Sequence, residues 1–148
     1  MLGPSPCVRP TSISPEGGPV SERAFPVPDA VTRPFWDGVA KGVLRIQRCR
    51  GCDRHVFYPR AVCPFCMDAG LEWVEASGAG VVHSFTVVHR APPDYRDEVP
   101  YVVALVDLAE GVRMMTRLVD VAPDGVTVGM PVEVAIQGEP RLPYFRPR

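Results

Sequence analysis

Apolar and polar positions change period several times along this chain, and each change marks an element. Residues 1–32 show no apolar periodicity and hold Pro4, Pro6, Pro10, Pro15, Pro19, Pro26 and Pro28, which predicts a disordered leader. Residues 32–42 predict a short helix. Thr32 is placed to cap it, Pro34 fits its first turn, Phe35, Trp36 and Val39 share a face, and Gly42 ends it. Residues 43–48 alternate as a half-buried strand does, and 55–59 read as its return strand.

The second half reads as strands throughout. Residues 72–76, 81–89, 101–108, 112–119 and 132–136 are strand-like, separated by turn signals at 77–80, 109–111 and 123–125. The run 101–108 is apolar on both faces and is expected to be central. The aromatic end, 142–147, is expected to lie on the sheet as an irregular edge. Five strands, no long helix and glycine-marked bends predict a mainly β fold closing as a five-stranded OB-type barrel, with an SH3-like barrel as the alternative. The division expected is a leader at 1–32, a helix with a small ribbon at 33–70, and a barrel at 71–148.

Cysteine spacing changes the picture of the first half. Cys49, Cys52, Cys63 and Cys66 form two C-x-x-C pairs with ten residues between them. Each pair can form a tight knuckle, and two knuckles on a hairpin close a tetrahedral four-thiolate site of the zinc-ribbon kind. Iron, which also accepts four thiolates, is the alternative. A closed shell leaves no position for water or substrate, so the metal is read as structural. His55 is read as a ribbon surface residue and Cys7 as incidental. Paired cysteines without a signal-peptide pattern point to a reducing compartment, the cytoplasm. No run is long enough to span a membrane.

Charge separates the halves. Residues 33–66 carry seven basic and two acidic side chains, while 67–148 carry seven basic and twelve acidic. The basic ribbon partly offsets the net charge of four thiolates on a divalent cation. A barrel of net charge −5 disfavours phosphate backbones, which leaves a single-stranded nucleic-acid binder as the weaker reading. Nucleophilic catalysis has little support. Ser84 and His83 are neighbours on a strand and face opposite ways, and His89 stands alone at a strand-to-loop border. Cationic and aromatic candidates for a phosphate-bearing ligand are Arg90, Tyr95 and Arg96 in the loop 90–100, with Arg113 and Arg117 on the following hairpin. Phe35 and Trp36, two large aromatics on a small helix, either dock on the ribbon or form a subunit contact.

These features resemble the DUF35 family, a rubredoxin-like zinc ribbon joined to an OB-fold. The resemblance rests on Phe35-Trp36, on Leu44-Arg45-Ile46-Gln47-Arg48-Cys49-Arg50-Gly51-Cys52, on Phe57-Tyr58-Pro59-Arg60 and on Cys63-Pro64-Phe65-Cys66. It continues through Gly78-Ala79-Gly80-Val81-Val82, residues 100–106, Gly129-Met130-Pro131-Val132 and Pro143-Tyr144-Phe145, covering about residues 33 to 148. It implies a non-catalytic accessory subunit of thiolase-like or lipid-transfer-protein-like acyl-CoA enzymes, acyltransferases or aldolases. Some members are paired with MaoC-type hydratases. It also implies a structural zinc, and a barrel that helps form the channel for a CoA-linked acyl group.

Overall fold

The computed structural model describes residues 25–148. Most of the expected leader, including Cys7, therefore lies outside the described residues. The first element is helix α1 (Arg33–Ala40). Thr32 holds the N-cap position, but its side chain makes no capping bond to the helix. Asp29 instead orders the turn that leads into it. Its carboxylate accepts the N–H groups of Val31 and Thr32, and the Thr32 hydroxyl accepts the Asp29 N–H at 3.0 Å. This is a reciprocal capping pair, and it starts the chain coiling before the regular helix begins. The helix stops as predicted. Gly42 takes φ +81°, and the Gly42 and Val43 N–H groups bond back to the carbonyls of Val39 and Gly38.

Strand β1 (Arg45–Cys49) is the centre of a three-stranded antiparallel sheet, between β2 (His55–Val56) and β3 (Leu71–Glu75). The stretch 72–76 was expected to open the barrel. It pairs with β1 instead, over five residues from Arg45↔Glu75 to Cys49↔Leu71. The reason is backbone satisfaction: β2 offers β1 only two paired residues, so β3 supplies most of its partners.

The remaining strands are β4 (Ala79–Val88), β5 (Tyr101–Leu108), β6 (Arg113–Leu118), β7 (Pro131–Gln137) and β8 (Leu142–Pro147). They close in the order β4-β5-β6-β8-β7, which is the OB-type arrangement. Thus the expected strand number holds but its membership differs. The C-terminal segment, expected as an irregular edge, is the fifth barrel strand. Pro143 and Pro147 weaken its strand pattern, yet its contact with β6 is a single parallel pair, Leu118↔Phe145, which asks for few N–H donors. Phe145 is fully buried. The turn before β4 needs glycine: Gly78 has φ +74°, and a Cβ there would lie 2.3 Å from Val134 Cγ1.

One core unites the halves. Phe35 and Val39 of α1, with Leu44 and Ile46 of the β1 arm, belong to the same buried cluster as Val82, Val106, Leu118, Val132 and Phe145 of the barrel. A separate small cluster holds Cys49, Val56 and Cys63, with Cys52 and Leu71 against it. No helix among the described residues is long and apolar enough to cross a membrane.

Candidate metal centre and ligand groove

The two C-x-x-C segments fold alike. The residue after each second cysteine, Asp53 or Met67, bonds its N–H to the carbonyl of the first cysteine, at 2.9 and 3.0 Å. Both residues sit at positive φ, 62° and 63°. The first cysteine of each pair in turn bonds its N–H to a carbonyl beyond the knuckle, that of Arg54 or Asp68. These repeats aim all four sulfurs inward, within 4.8 Å of one another. Cys49 and Cys66 sulfurs are 3.5 Å apart, and those of Cys52 and Cys63 are 3.7 Å apart. Tetrahedral zinc with Zn–S bonds of about 2.3 Å needs sulfurs about 3.8 Å apart, so the donor set fits the ion.

The Cys63 and Cys66 thiols are shifted in opposite directions. Burial pushes the Cys63 thiol up, but the Phe65 and Cys66 N–H groups near its sulfur outweigh this and bring it to about 7. At Cys66 the Asp68 N–H pulls down, while the Cys49 sulfur, burial and the other two sulfurs push up harder, to about 12. Crowded thiolates cannot all ionise together without a positive charge among them. His55, half-buried in β2, is not part of the cluster.

Two features around the centre were not legible in the residue pattern. Gln47 is a polar residue of the alternating strand, yet it is buried. Its amide donates to the Arg60 carbonyl at 2.9 Å and accepts the Arg60 N–H at 2.8 Å, tying the segment before the second knuckle to β1. The ribbon arginines are also partly spoken for. Arg48 pairs with Asp53, Arg50 with Glu72 at 3.1 Å, and Arg54 lies over the Phe65 ring at 4.8 Å.

The structure divides the ligand candidates. Tyr95, in the 3₁₀ segment Pro93–Glu98, and Arg117, in β6, meet in a hollow of about 260 Å³ that also exposes Tyr101 and Tyr144. Arg117 pairs with Glu98, and the Tyr101 ring lies 4.6 Å from its guanidinium carbon. Its Nε is buried with no acceptor. Arg113 is elsewhere: it donates to Asp107 at 2.7 Å and lies 3.0 Å from His83 Nδ1. A register shift between Val82 and Ser84 makes β4 bulge at His83, which lies within hydrogen-bond distance of Asp107. The Arg113 hydrogen bond, opposed by burial and helped by the charges of Arg113 and His83, holds the Asp107 carboxyl below its ordinary range. Arg90 and Arg96 are exposed.

Of the two aromatics suggested for a subunit contact, Phe35 is corrected. It is 2% exposed and packs against Trp36 and Phe57, so it has no surface left for another chain. Trp36 keeps a partly open face, which lines a groove of about 430 Å³ with Phe25, Ala40, Pro140 and Leu142.

Comparison with known proteins bears on both halves. Residues 36–72 match the rubredoxin-like zinc ribbon domain of ChsH2, and residues 73–137 match the C-terminal OB-fold domain of ChsH2. The chain is 45% identical over 117 residues to a probable enoyl-CoA hydratase alpha subunit of Thermomonospora curvata, covering 76% of this chain but only 36% of that protein. It is 37% identical over 91 residues to a DUF35 domain-containing scaffold protein of Methanothermobacter thermautotrophicus, covering 61% of this chain and 68% of that one. Among solved structures, a chain of the Ltp2-ChsH2(DUF35) aldolase superposes with a TM-score of 0.76 at 39% identity, covering 83% of this chain and 98% of that one.

Proposed function

Because the chain belongs to the DUF35 family, with its zinc ribbon ahead of an OB barrel, we propose that it is a non-catalytic accessory subunit. It binds a thiolase-superfamily partner, an acyltransferase or aldolase, and helps form that partner's acyl-CoA channel in the cytoplasm. One observation carries the reading: Cys49, Cys52, Cys63 and Cys66 converge on a single set of metal donors, which leaves no thiol among the described residues for nucleophilic work. A metal held there by four thiolates has no vacant position, so it supplies rigidity to a ribbon too small for a large core. Catalytic groups then come from the partner.

Exposed apolar side chains support docking. Met67 is 72% exposed, Phe65 54% and Tyr58 48%, all on the ribbon around the second knuckle. Large apolar groups left in water at one place mark a surface made for another protein. The relatives' descriptions agree in kind: one is a scaffold protein, one an alpha subunit, and one a chain of the Ltp2-ChsH2(DUF35) aldolase.

The test is co-expression with a thiolase-like enzyme from the same organism. The isolated chain should turn over no acyl-CoA, while the pair should co-purify and show more activity than the partner alone. Full partner activity without this chain would remove the proposal.

A further inference from the structure

The four metal donors are not equally sheltered. Cys49 and Cys63 are fully buried, Cys52 is half-buried, and Cys66 is exposed. Their places in the fold account for this. Cys49 ends the central ribbon strand, and Val56 and Leu71 belong to its small apolar cluster. Cys66 closes the second knuckle between Phe65 and Met67, two side chains that themselves stand largely in water. Its sulfur lies 3.5 Å from that of Cys49, so the most open donor faces a fully buried one across the two knuckles.

We propose that Cys66 is an oxidation site, the point at which a hydroperoxide opens the four-thiolate centre. The inference concerns the chain before any docking and does not depend on the accessory-subunit reading. Cysteines that hold a divalent cation are thiolates, and attack on peroxides follows thiolate character together with exposure. Burial denies the second to Cys49 and Cys63. The Cys66 sulfur attacks one peroxide oxygen. An S–O bond forms, the O–O bond breaks, and the hydroxide that leaves takes up a proton as water. The Cys49 sulfur then attacks the Cys66 sulfur. An S–S bond forms, the S–O bond breaks, and a second hydroxide leaves as water. The two thiolates lose two electrons and the peroxide gains them. The disulfide removes two of the four donors that a structural zinc site requires, so the ion leaves. The step consumes the site, which makes it a modification and not turnover.

The test uses the full-length, zinc-loaded chain with hydrogen peroxide. Zinc release is followed with a chromogenic chelator, and the first disulfide is mapped in parallel. Cleavage after arginine places Cys49 on residues 49–50, Cys52 on 51–54, and Cys63 with Cys66 on 61–90. Peroxide should release zinc while 49–50 becomes linked to 61–90, and fragmentation between Cys63 and Cys66 should place the bond on Cys66. Dithiothreitol with zinc should restore the metal content, which oxidation of the neighbouring Met67 to its sulfoxide would not allow. Cys66→His keeps four donors in a set that zinc accepts. It should release zinc more than about tenfold more slowly under the same peroxide. Release from Cys66→His at the parent's rate, a first disulfide that omits Cys66, or a loss that dithiothreitol and zinc do not reverse overturns the inference. Where the histidine variant takes up no zinc, the position of the first disulfide decides alone.

Discussion

Gln47 and Arg60 are joined by a two-way hydrogen bond, side chain to backbone, across thirteen positions of sequence. The pair pins the segment leading into Cys63 against the central ribbon strand, so it helps hold the second knuckle where the first can meet it. Gln47→Leu removes both bonds and strands the Arg60 backbone groups beside an apolar side chain. The expected cost is about 1–3 kcal/mol, read as a lower midpoint in urea, with weaker retention of metal against a chelator. An unchanged midpoint would show that the Arg60 groups find water instead.

The four-thiolate site should contain one zinc per chain. Elemental analysis of the purified protein checks this, and a red, iron-bearing preparation contradicts it. Cys49→Ser should cost more than Cys66→Ser, because Cys49 is buried and Cys66 lies at the open edge. Both substitutions should lower metal content, but only the first should leave the ribbon largely unfolded at ambient temperature.

The two knuckles ask for a left-handed residue where the chain has Asp53 and Met67. For residues with a side chain that conformation carries strain of about 1–2 kcal/mol, partly offset by the greater chain entropy that glycine loses on folding. Met67→Gly should therefore stabilise the ribbon by about 0.5–1 kcal/mol, seen as a higher Tm. It should also weaken partner binding, since Met67 is the most exposed apolar side chain around that knuckle.

Asp29 gives the helix cap a pH dependence with a definite sign. The Thr32 backbone N–H, followed by its hydroxyl, holds the Asp29 carboxyl below its ordinary value. A carboxyl whose folded value is depressed stabilises the fold above its unfolded value, near 3.9, and loses that contribution as pH falls through the folded one. Asp29→Ala should lower Tm at neutral pH. The gap to the parent should stay constant down to about pH 4 and narrow below it. A gap that persists in stronger acid would assign the effect to the backbone alone.

What could be read directly from the residues is what depends on near neighbours. The metal donors lie within eighteen positions, and their spacing alone forces two knuckles onto one centre. The helix stop at Gly42 and the span of β5 are likewise local, one a matter of φ and the other of an unbroken apolar run. Tertiary structure decided the rest, because a strand's partner is chosen by backbone groups far away in sequence. Residues 71–75 carry a strand pattern equally suited to ribbon or barrel, and the unpaired edge of β1 claims them. Residues 142–147 look like a poor strand, and the gap between β6 and β7 makes them one. The Trp36 groove exists for the same reason. Trp36 and Leu142 are more than a hundred positions apart and share a wall only because β8 closes the barrel beside α1.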